Sequence, residues 1–115
     1  MKVEGSTLVV AVCEPFRADY LRINVVDGGD ATEVWRAAGE ADLVEGDLIH
    51  FGVAPEGMLT DVLDNDSPFD GLVVSALISK SDGGVWVLAA AWDELRTDAW
   101  RNQDGQYTDG PCAGR

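Results

Sequence analysis

Between Gly71 and Trp92 the chain reads GLVVSALISKSDGGVWVLAAAW, two apolar runs on either side of Ser-Asp-Gly-Gly at 81–84. Asp-Gly between β-rich runs is a strong hairpin signal, because glycine accepts the positive φ that a tight turn needs. Both runs, Leu72 to Ile78 and Val85 to Trp92, are apolar at nearly every position. Strands of that kind are covered on both faces, so the hairpin is expected at the centre of a sheet. The competing reading is one helix from Trp86 to Trp100, favoured by Ala89-Ala90-Ala91. The turn chemistry decides for the hairpin.

The rest of the chain is read around that hairpin. Thr7 to Cys13 (TLVVAVC) is a buried strand, interrupted at Pro15, which has no N–H to give a ladder. Tyr20 to Val26 alternates, with Leu21, Ile23 and Val25 on one side and Tyr20, Arg22 and Asn24 on the other. After Asp27-Gly28-Gly29, Asp30 and Glu33 fit a capping box that opens a helix to about Glu40, striped by Val34, Ala37, Ala38 and Ala41. Glu45-Gly46-Asp47 then turns the chain into a strand at Leu48 to Val53. Pro55 opens a second short helix through Leu63, and Asp93 caps a third from Glu94 to about Asn102. This order predicts an α+β fold, a mainly antiparallel β-sheet with two or three short helices packed on one face. A partly open small β-barrel is the second choice. Residues 1–102 form the expected single domain, and 103–115, without apolar periodicity, a flexible C-terminal tail.

Charge excludes more than any motif does. With 21 acids against 8 bases, the 115 residues carry a formal −13. Such a field repels phosphate backbones and anionic lipid, and it attracts a basic partner. No apolar run approaches the ~20 residues of a membrane span, and the first residues carry neither the basic nor the apolar region of a signal peptide. A soluble cytoplasmic protein is expected. Two cysteines, Cys13 and Cys112, make no disulfide framework, and the sequence leaves their pairing open.

No catalytic constellation is legible. His50, the single histidine, alternates with Ile49 and Phe51 and has neither a nucleophile nor an acid assigned to it. No serine sits in a nucleophile elbow. The acidic loop Asp64-Asn65-Asp66-Ser67-Pro68-Phe69-Asp70 fails as a calcium loop, since Phe69 stands where glycine is required and Ser75 where glutamate is. Gly28-Gly29 at a helix start would suit an anion, but Asp27, Asp30 and Glu33 surround it. No cofactor and no metal are expected, and no enzymatic activity.

What remains is surface. Glu40, Asp42, Glu45 and Asp47 cluster in sequence, as do Asp61, Asp64, Asp66 and Asp70. The plain reading of both is a solvated acidic rim. The functional reading is a decoy, carboxylates held on a rigid frame for the lysines and arginines of a nucleic-acid-binding protein. Trp35 and Trp100 are the candidate interface anchors. In size and composition alone, the profile resembles phage-encoded inhibitors such as anti-CRISPR proteins, and equally immunity proteins that neutralise nuclease toxins. The resemblance implies a non-enzymatic protein that inhibits a basic partner. The alternative is a small enzyme or ligand-binding domain from a host whose whole proteome is acidic.

Overall fold

The computed structural model describes residues 1–4, 7–64, 69, 71–102 and 105–112. Its strands are β1 (Lys2–Glu4), β2 (Thr7–Ala11), β3 (Phe16–Asp27), β4 (Asp30–Leu43), β5 (Leu48–His50), β6 (Met58–Leu63), β7 (Val73–Lys80), β8 (Val85–Ala91), β9 (Trp100–Arg101) and β10 (Tyr107–Thr108). They form antiparallel sheets in the orders β6-β4-β3-β7-β8, β1-β2-β5 and β10-β9. Among the described residues the helical ones make a single 3₁₀ turn, Trp92–Glu94. The α+β expectation is overturned: this is a β protein, and among the described residues no α-helix packs on its sheet.

β3 is the axis of the large sheet. Leu21, Ile23 and Val25 point into the core while Tyr20, Arg22 and Asn24 point out, the alternation that the sequence displays. The expected helix over 30–40 is instead β4, folded straight back on β3. Gly28 and Gly29 both have positive φ, +61° and +96°. A two-residue loop of that kind twists in the sense that antiparallel strands require, so Asp27-Gly28-Gly29-Asp30 closes a hairpin. Trp35 then lies opposite Ile23, Ala37 opposite Leu21 and Ala41 opposite Ala18. Ala37 and Ala41, read as part of a helical stripe, also share the strand period of Trp35 and Leu43, and pairing with β3 selects that period.

The expected helix over 55–63 is edge strand β6, whose Leu59 is 79% exposed. Two glycines let it approach β4. A Cβ on Gly39 would stand 2.2 Å from the Gly57 carbonyl oxygen, and one on Gly57 would stand 1.9 Å from that of Glu40. Both also adopt positive φ, so only glycine fits either place. The third expected helix, over 94–102, is instead the end of the 3₁₀ turn, a stretch bent at 97–99 and the short strand β9, with Leu95 and Trp100 buried. Beyond it, β10 pairs with β9 inside the segment expected as a tail.

The hairpin at 73–91 is present, closed by the Lys80 N–H to the Gly84 carbonyl and by the Gly84 N–H to the Asp82 carboxylate. It is not central. β8 is the outermost strand of its sheet, and only alternate residues of the pair, among them Val74, Ala76, Ile78, Leu88 and Ala90, are buried.

The core lies between the inner faces of the large sheet and the β1-β2-β5 sheet. Leu8, Val10 and Val12 meet Leu21, Ile23 and Ile78 there. The gap beside Val10, Ile49 and Ala76 measures about 10 Å³, no more than one water requires. Val9 and Ala11 face the other way, against Trp100, so β2 is covered on both sides. A disulfide joins Cys13 to Cys112, with 5.4 Å between their Cα atoms, and ties the C-terminal segment to the end of β2. Among the described residues no helix is long and apolar enough to cross a membrane.

Candidate partner-binding surface

The acids that cluster in sequence do not form one surface. Glu40 and Asp42 lie on the outer side of β4, where the Asp42 carboxylate accepts a 2.9 Å hydrogen bond from Arg17. Glu45 and Asp47 sit in the next turn, and Asp47 accepts the Val44 N–H at 2.9 Å. Asp61 on β6 stands 3.9 Å from the Arg36 guanidinium, and the Asp64 N–H donates to the Val34 carbonyl. Asp66 and Asp70 lie outside the described residues. At about 3.3 Å per residue, the run of β4 from Arg36 to Asp42 separates Asp61 from Asp42 by roughly 20 Å.

Neither candidate anchor is presented. Trp35 is 0% exposed and Trp100 6%. Trp35 donates its Nε1–H to the Thr60 hydroxyl at 3.2 Å and packs edge-on against Phe51, which meets Phe69 and then Trp92. These are core residues.

Two features could not be read along the chain. The first is that its cations are already engaged. Among the described residues every arginine, and Lys80, stands within 4.0 Å of a carboxylate: Arg17 with Asp42, Arg22 with Glu33, Arg36 with Glu33 and Asp61, Lys80 with Glu14, Arg96 with Asp98 and Arg101 with Glu94. The Arg96 guanidinium, hydrogen-bonded and charge-paired, holds the Asp98 carboxyl below its ordinary range. Lys2 lies over the Trp100 ring at 5.0 Å. With 21 acids and 8 bases, the carboxylates outnumber the lysines and arginines by 13.

The second feature is an acidic end of the large sheet. Asp27 and Asp30 flank the β3–β4 turn. β6 runs against β4 and brings Asp64 to Val34. Val73, opening β7, pairs with Val26 and with Ala91, so the exit from β8 carries Asp93 to the same end. The described strand ends and turns there, 26–31, 63–64, 71–73 and 91–93, contain no lysine or arginine. The opposite end is mixed, with the Arg17–Asp42 and Lys80–Glu14 pairs.

No protein-family model, curated protein or solved structure matches this chain. The reading of the surface therefore rests on its own geometry. Sequence reasoning found Asp64 but missed Asp27, Asp30 and Asp93, which join it only through strand pairing. The signal available for two of them was Asp-Gly-Gly-Asp itself, a hairpin turn with a carboxylate on each side. His50 stands with Nε2 3.5 Å from the Glu4 carboxylate. Among the described residues no group of three or more His, Cys, Asp or Glu side chains could hold a metal ion.

Proposed function

We propose that this chain is a non-enzymatic acidic binding protein that engages a basic, nucleic-acid-binding protein and competes with nucleic acid for its cationic surface. The observation that carries the reading is the acidic end of the large sheet, where Asp27, Asp30 and Asp93 stand in strand ends and turns that contain no lysine or arginine. Carboxylates so placed attract an external guanidinium or ammonium and steer its approach, an effect that fades as salt shortens the Debye length. The net −13 disfavours direct binding to nucleic acid or anionic membrane.

The cytoplasm expected from the sequence keeps thiols reduced, whereas a Cys13–Cys112 bridge persists in an oxidising compartment. The thiol state of the protein in its host separates these settings.

The test is capture on immobilised protein from host lysate. Retained proteins should be basic, and both salt and the polyanion heparin should release them. Asp27→Asn, Asp30→Asn and Asp93→Asn together should abolish retention while leaving the fold intact. Retained proteins no more basic than the lysate as a whole, or retention indifferent to those changes, would end the reading.

A further inference from the structure

Arg22 stands in the middle of the outer face of the large sheet. The row through it crosses all five strands: Val62, Arg36, Arg22, Leu77 and Val87. Arg22 lies directly opposite Arg36, and like charges so placed on paired strands oppose the pairing. Glu33 sits beside both, 3.3 Å from the Arg36 guanidinium and 3.6 Å from the Arg22 Nε. The second distance is beyond hydrogen-bond reach. The Arg22 Nε–H is buried and has no hydrogen-bond partner among the described residues, although the side chain as a whole is 36% exposed. Asp61, 3.9 Å from Arg36, lies on edge strand β6, on the side of β4 away from β3. A buried donor without an acceptor is destabilising, so one glutamate is too little for two guanidiniums.

We propose that the Arg22–Glu33–Arg36 cluster is one carboxylate short and that a partner protein supplies it, as an aspartate or glutamate set in an aliphatic surface. The incoming carboxylate takes the terminal N–H groups of the two guanidiniums, and Glu33 then closes on the Arg22 Nε–H. The Arg22 guanidinium lies over the Tyr20 ring, 5.6 Å from its centroid. Its flat side is therefore occupied, and the edge of its fork is left for a planar acceptor. Two guanidiniums against one carboxylate leave the cluster at +1 within a chain of −13. One carboxylate fits that charge, whereas a polyanion such as nucleic acid is repelled. Both margins of the surround are aliphatic, with Leu59 and Val62 on β6 and Val85 and Val87 on β8. They lie roughly 20 Å apart at about 4.8 Å between strands, the width of a protein contact rather than of a small acid. A second copy would set Arg22 and Arg36 against the same pair, which like-charge repulsion opposes. The inference goes beyond the acidic end, since Asp27, Asp30 and Asp93 take no part in it. A basic partner that presents one acid here satisfies both surfaces.

The test is an NMR titration of the intact protein, isotope-labelled at arginine and followed at the Arg22 Nε–H. The probes are a capped Val-Glu-Val peptide, its Val-Gln-Val twin, acetate and inorganic phosphate. The glutamate peptide should move the resonance downfield, as Glu33 closes on it, and bind roughly tenfold more tightly than its twin. Arg22→Gln should abolish that preference, while Arg17→Gln, at an exposed ion pair outside the cluster, should keep it. Circular dichroism verifies the fold of each variant. Equal binding of the two peptides, or a preference that survives Arg22→Gln, overturns the inference. So does an Arg22 resonance that the glutamate peptide leaves in place, a readout that needs no variant to fold. Acetate as effective as the glutamate peptide would make this a site for small acids, and phosphate more effective than either would make it a phosphate site. Both outcomes overturn the protein partner.

Discussion

Removing the Cys13–Cys112 bridge tests how much of the stability is held covalently. The bridge closes a loop over a sequence separation of 99, nearly the whole chain. In the chain-entropy account a loop of that length restrains the unfolded ensemble by about 4.7 kcal/mol, and measured values for native bridges run from about 2 to 5. Unfolding 115 residues carries about 0.24 kcal/mol/K of entropy near the transition. The upper figure therefore corresponds to a fall in Tm of about 20 °C, and the lower to about 8 °C. Cys13→Ser, Cys112→Ser and the double variant should fall equally, because either change opens the same loop. Thermal and urea unfolding, with and without a reducing agent, measure this. The reductant should bring the parent down to the variants and leave the variants where they are. A loss below about 1 kcal/mol in all variants, or singles and double that differ, would refute the reasoning.

Gly39→Ala and Gly57→Ala should each destabilise by about 3 kcal/mol or more, read from urea midpoints, because each Cβ meets a backbone carbonyl and each φ is positive. Trp35→Ala should cost about 3 to 5 kcal/mol by the same assay, since the indole is wholly buried and a cavity replaces it. In the polypeptide beginning at Met1, burial, helped by the Arg101 charge, lowers the terminal amine from 8.0 to about 6. Between those pH values the unfolded chain holds the proton and the folded one does not. Stability should accordingly rise from pH 6 to pH 8 by about 2 to 3 kcal/mol, and acetylating the amine should flatten the rise.

Strands were legible wherever one face is buried and the other wet. Leu21, Ile23 and Val25 announce β3, and Asp82-Gly83 announces the β7–β8 turn. The position of that hairpin was misjudged because Val73, Val85 and Val87 are apolar yet exposed, which mimics the composition of a central strand. β4 was misread for a different reason. Val34, Ala37, Ala38 and Ala41 satisfy a helical period, while Trp35, Ala37, Ala41 and Leu43 satisfy a strand period, and a local pattern does not choose between them. Pairing with β3 chooses, helped by the two positive φ values of Gly28 and Gly29. The acidic end was hidden by its topology: Asp27 and Asp93 are distant in sequence, and only the order of the strands makes them neighbours. Trp100 looked like an anchor because it lay on a helix expected over 94–102; it sits instead on the short strand β9 and covers Val9 and Ala11.

Burial of β2 on both faces sets a timetable for biosynthesis. Val9 and Ala11 leave the ribosome roughly 90 residues ahead of Trp100, the side chain that covers them. At about 5–20 residues per second, that delay is roughly 5 to 20 s. Throughout it the uncharged stretch Thr7–Ala11 is synthesised but not yet sheltered, an invitation to chaperones or to neighbouring nascent chains. The fold closes only once Trp100 has been made and Cys112 fastens its segment to the end of β2.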